Sequence, residues 1–74
     1  MKERLIELGW ICNKCSCPSG KGWDCMHKDF KGILIKVRQN FRILKNSLVI
    51  DSGFGYQLDK KLKENEIFKE VTQE

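Results

Sequence analysis

All four cysteines and the only histidine of this 74-residue chain fall between positions 12 and 27: Cys12, Cys15, Cys17, Cys25 and His27. A chain this short buries a small core, and at this size metals or disulfides commonly supplement hydrophobic burial. For these side chains to meet, the segment carrying them must double back. Pro18-Ser19-Gly20-Lys21-Gly22 is the turn that lets it do so. The first hairpin is therefore the most constrained part of the fold.

Thiolates bind a borderline-soft ion such as zinc, and an imidazole nitrogen can complete the tetrahedron. The pattern Cys12-x2-Cys15-x-Cys17, followed by Cys25-x-His27, predicts a zinc site at the first hairpin built from four of the five side chains. With residues 18–22 as the loop, Cys17 faces Trp23, Cys15 faces Cys25 and Asn13 faces His27. Cys15, Cys17, Cys25 and His27 then project from one face. A competing set uses a Cys12/Cys15 knuckle with Cys25 and either His27 or Cys17. Cys15 and Cys25 belong to nearly every version. The alternative is that Cys12 and one other thiol are buried small hydrophobes, with His27 an exposed strand residue. Four protein ligands would make the site structural, since catalysis needs an open position for water. Deaminase chemistry would need a His-x-Glu element and a later Pro-Cys-x2-Cys, and neither is present.

Compartment bears on this expectation. No apolar run approaches the roughly 20 residues of a spanning helix, so no membrane role is expected. The opening Met1-to-Leu8 stretch carries Glu3 and Glu7 inside its apolar residues, which makes a poor secretory signal. The cytoplasm is the default expectation, and there clustered thiols are more often metal ligands than disulfides.

Periodicity predicts an α+β fold: a small antiparallel sheet of three to five short strands with an N-terminal and a C-terminal helix. Leu5 and Leu8 mark one face of a helix over residues 2–8, and Gly9 is placed to end it in a left-handed conformation. Extended segments follow to about residue 17 and from Trp23 to about Lys28. Ile33, Ile35 and Val37 alternate with Leu34, Lys36 and Arg38 as a half-buried strand does. Gln39-Asn40 and Asn46-Ser47 are turns that bound two further strands, 41–44 and 48–50. A last helix near 56–64 has Leu58 and Leu62 as its stripe, with Phe54 or Tyr56 as packing partners and Asn65 as terminator. Ile67, Phe68 and Val71 are expected to dock the tail, and Thr72 to Glu74 to fray. The whole chain, 1–74, reads as one domain.

The net charge of +4 is unevenly spread. Residues 11–50 hold eight bases against two acids, 8 − 2 = +6, whereas residues 59–74 hold four bases and five acids, 4 − 5 = −1. A basic middle suits a polyanion such as RNA or DNA, with Lys21, Lys28, Lys36, Arg38 and Arg42 as the candidate phosphate-facing stripe. The plainer alternative is a solvated sheet face. Trp10, Trp23, Phe30, Phe41 and Tyr56 are the aromatic candidates for base stacking, although Trp10, Phe41 and Phe54 are expected to fill the core.

One resemblance follows from the order of these features. Leu8-Gly9-Trp10 at a helix–strand junction, His27 on the second strand and a last helix over Tyr56 to Asn65 resemble the HicA-type messenger-RNA interferases. That resemblance implies a double-stranded-RNA-binding-like fold and RNA cleavage by His27. Asp24-Cys25-Met26-His27 stands where that family has Gly-Ser-His-His, and the cysteines have no counterpart there. The leading expectation is a non-catalytic zinc-binding module that contacts nucleic acid through its basic sheet region. The alternatives are a toxin-like RNA-cleaving enzyme using His27, and a protein-interaction adaptor with a purely structural metal.

Overall fold

A computed structural model describes residues 2–14 and 22–68. The elements run α1 (Lys2–Glu7), β1 (Ile11–Lys14), β2 (Trp23–Met26), β3 (Ile33–Val37), β4 (Phe41–Lys45), β5 (Leu48–Gly53), a 3-10 turn (Gly55–Gln57) and α2 (Leu58–Glu64). The five strands form one antiparallel sheet in sequential order, β1-β2-β3-β4-β5. This is the expected α+β arrangement at the upper end of the expected strand number. The expected metal ligands Cys15 and Cys17 and the expected loop positions Pro18 and Lys21 lie outside the described residues, as do Val71 and Thr72 to Glu74.

Both helices end in the same way. Gly9 has φ +93°, the Gly9 N–H bonds to the Ile6 carbonyl at 3.1 Å, and the Trp10 N–H bonds to the Leu5 carbonyl at 2.9 Å. That is a Schellman closure, and it brings the apolar pair Leu5 and Trp10 together in the core. At the end of α2 the pattern recurs around Glu66, at φ 60°. Its N–H bonds to the Lys63 carbonyl at 3.1 Å, and the Ile67 N–H bonds to the Leu62 carbonyl at 3.0 Å. Leu62 and Ile67 are buried as a result.

The helices cover one face of the sheet. Leu5 and Leu8 from α1, Leu58 and Leu62 from α2, and Ile67 meet Cys25, Ile33, Ile35, Val37, Phe41 and Ile43 from the strands. The strict alternation of Ile33, Ile35 and Val37 puts all three inward. No helix among the described residues covers the opposite face, although Leu44 on it is buried. Across it Ile11, Met26, Leu34, Leu44 and Val49 make an apolar row. Asn13, Asp24, Lys36, Arg42 and Ser52 make a polar row beside it.

The β4–β5 turn takes both Asn46 and Ser47 into positive φ, 51° and 70°, the twist a tight hairpin favours. Beyond it the ladder slips: Val49 lies opposite Leu44, but Asp51 lies opposite Ile43, leaving Ile50 as the extra residue. The bulge carries Asp51 to the helical side of the sheet. There its carboxylate accepts from the Asn65 amide at 2.9 Å and lies 3.5 Å from Lys61 Nζ.

The first hairpin departs from expectation in its register. Cys12, not Cys15, lies opposite Cys25, with Lys14 opposite Trp23 and Ile11 opposite Met26. The cause is burial. In the expected register Asn13 would lie beside His27 on the buried face. In the observed one, positions 10, 12 and 14 share that face with 23, 25 and 27, so Trp10 enters the core beside His27. Two aromatics also differ from expectation. Phe54 is not in the core, being 53% exposed, and Tyr56 is 84% exposed, so neither packs under Leu58 and Leu62. Both stay outside the core cluster, and Leu5, Leu8 and Ile67 pack with Leu58 and Leu62 instead.

Candidate nucleic-acid interface

Cys12 and Cys25 are joined as a disulfide across the β1–β2 ladder, their Cα atoms 4.0 Å apart. The sequence predicted metal-ligating thiolates here. A directly opposed cross-strand pair instead brings two sulfurs into bonding range, and a sulfur in a disulfide offers no thiolate to a metal. Among the described residues no three His, Cys, Asp or Glu side chains gather as a metal group.

His27 follows directly on β2 and points inward, with 3% of its side chain exposed. Its ring meets Trp10 edge-on at 5.2 Å and Phe30 at 5.0 Å, while Trp10 and Phe30 stack on each other at 5.7 Å. Nδ1 accepts the Asp29 backbone N–H at 3.0 Å, which assigns the ring proton to Nε2. That nitrogen faces Gly9, where a Cβ would lie only 3.0 Å away. The ring therefore acts as the peg of an aromatic cluster that fastens the end of α1 to the β2–β3 connection. A general base for RNA cleavage must reach a substrate hydroxyl, and this buried ring faces core atoms instead.

The basic residues divide by position. Lys28 is exposed in the β2–β3 connection, at the far end of the sheet from Lys36, Arg38 and Arg42. Lys21 lies outside the described residues. Lys36, Arg38 and Arg42 converge on a groove of about 760 Å³ at the β3–β4 hairpin, and Lys61 of α2 joins them. Lys36 and Arg42 are cross-strand partners on the face opposite the helices. Among the described residues no carboxylate lines the groove; its remaining polar lining comes from Gln39, Asn40, Ser52 and Gln57, and its apolar wall from Phe41 and Phe54.

Gly53 makes the passage from sheet to helix possible. A Cβ there would meet the buried Phe41 ring at 3.0 Å and Gln57 Oε1 at 3.2 Å. Gln57 in turn accepts the Phe54 N–H at 3.1 Å on its side-chain oxygen and donates its own N–H to the Phe54 carbonyl at 2.9 Å. The Phe54 backbone is thus clamped on both sides. Just outside the groove, Asp51 holds Lys61 from one side and Glu64 approaches it at 3.8 Å from the other. The Asp51 carboxyl is depressed below its ordinary range, first by the Asn65 amide, then by the Ser52 N–H it accepts at 2.8 Å, and also by Lys61.

Sequence reasoning identified three of the groove's four bases and missed Lys61 and Phe54. The signal for Phe54 was available: a single aromatic between Gly53 and Gly55 has few neighbours to bury it. The signal for Lys61 was not, because only the docking of α2 on β5 brings it there. No family model, curated protein or solved structure matches this chain.

Proposed function

We propose that this chain is a non-catalytic nucleic-acid-binding module whose basic groove holds the phosphate backbone. The observation that carries the reading is the convergence of Lys36, Arg38, Arg42 and Lys61 on a groove that no carboxylate among the described residues lines. Lysine and arginine gathered on one groove neutralise phosphates and release condensed counterions, which is the main source of affinity in such complexes. Arginine in two of the four positions adds planar donors suited to phosphate oxygens. In this reading the disulfide-linked hairpin and the His27 cluster are structural supports.

Fluorescence anisotropy with a labelled oligonucleotide, titrated over a range of salt, tests the proposal. Affinity is expected to fall steeply as salt rises. Lys36→Ala and Arg42→Ala should each weaken binding across sequences and reduce the salt slope by about one. Absence of binding at low salt, or binding untouched by both substitutions, would sink the reading.

A further inference from the structure

We infer that Phe54 and Tyr56 form a base-stacking platform, so that the ligand of the groove is a single-stranded nucleic acid. The inference rests on the groove reading and adds to it the form of the ligand.

Large aromatic rings are normally among the first groups a small domain buries. Here a phenylalanine and a tyrosine stand in solvent beside a groove that carries four bases. Their rings lie nearly parallel, 12° apart with centroids at 5.9 Å, in an offset stack. Phe54 is part of the groove wall, and Tyr56 extends the same stack outward. The Gln57 bonds to both backbone polar groups of Phe54 hold the platform in place before any ligand arrives, so little ordering is required on binding.

The chemistry of the two walls differs, and that difference selects the strand. A duplex covers its base faces with neighbouring bases and offers a protein only phosphates and groove edges. An unpaired strand offers phosphates on one side and bare base faces on the other. Lys36, Arg38 and Arg42 suit the phosphates, and Phe54 with Tyr56 suits the faces. The other aromatics named from the sequence are already engaged: Trp10 and Phe41 are buried, Phe30 stacks on Trp10, and Trp23 lies under the Lys2 ammonium at 3.8 Å.

The experiment compares labelled single-stranded RNA, single-stranded DNA and a duplex of matched length, by anisotropy at one fixed low salt, against the parent chain and four variants, Lys36→Ala among them. Either single strand is expected to bind about tenfold or more tightly than the duplex. Phe54→Ala and Tyr56→Ala should each weaken single-strand binding by about tenfold and cost the single strand more than the duplex. Tyr56→Phe should retain the parent affinity, since stacking needs the ring and not the hydroxyl. Both side chains are exposed, so circular dichroism should show the variants folded. Comparing the RNA and DNA arms shows whether the 2′-hydroxyl contributes. Equal binding of duplex and single strand, with Phe54→Ala and Tyr56→Ala silent while Lys36→Ala still weakens both, would overturn the platform and leave the groove standing. No binding of any of the three would remove the groove reading and this inference with it.

Discussion

Gly9 shows how much one backbone position decides. Its φ of +93° turns the chain from α1 into β1, and its missing side chain leaves the space that His27 Nε2 occupies. An L-residue in a left-handed conformation costs about 1–2 kcal/mol, and a Cβ 3.0 Å from a buried ring leaves little room to relax. Gly9→Ala should therefore lower stability by more than about 1 kcal/mol. Thermal and urea unfolding would measure it, and an unchanged midpoint would contradict the packing of His27 against this turn. Glu66 occupies the equivalent place after α2 with an ordinary side chain; it is exposed and meets no such ring. Gly9 was legible from sequence because a glycine after an apolar helical stripe has a specific stereochemical use. Glu66 was not, because nothing in its type favours positive φ.

Among the elements, β3 was the most legible and the first hairpin the least. Ile33, Ile35 and Val37 specify a face by themselves, and Phe41 and Ile43 on β4 match them across the ladder. The hairpin register depended instead on which neighbours needed burial, and Trp10 at the close of α1 outweighed the loop-centred count that opposed Cys15 to Cys25. The resulting Cys12–Cys25 bond makes a chemical prediction. Zinc takes thiolates, so this disulfide and a metal held by the same two sulfurs exclude each other. Peptide mapping of unreduced protein should recover the peptides containing Cys12 and Cys25 cross-linked. Native mass spectrometry of the same sample should find no stoichiometric zinc, and reduction should lower the unfolding midpoint, since closing a loop of this size stabilises a domain by about 2–4 kcal/mol. One zinc per chain together with four free thiols would replace the disulfide by the metal centre that the cysteine spacing first predicted.

Across the whole molecule, the two helices and the last strand are tied together by ionic contacts that local sequence could not reveal. Arg4 Nε donates to Asp59 at 3.1 Å, linking the two helices from opposite ends of the chain. The Ile50 bulge delivers Asp51 to Asn65 and Lys61, linking α2 to the sheet edge beside the groove. That second link has a definite pH signature. The Asp51 carboxyl is depressed in the folded chain, so the folded state binds its proton less readily than the unfolded state does. Its contribution is complete above the ordinary aspartate value and is lost as pH falls through the depressed one. Asp51→Asn should therefore be less stable than the parent at neutral pH, and the gap between the two should narrow as the solution is acidified below the ordinary aspartate range. Urea unfolding of both chains from neutral to strongly acidic pH would follow this, and a gap that stayed constant would assign Asp51 a packing role with no ionic part. Because Lys61 is both the cation held by Asp51 and the helix-borne base of the groove, the neutral-pH comparison carries a second readout. Freed from Asp51, the Lys61 ammonium keeps only the longer Glu64 contact at 3.8 Å and adds more of its charge to the groove, so Asp51→Asn should bind oligonucleotide at least as tightly as the parent while unfolding more easily.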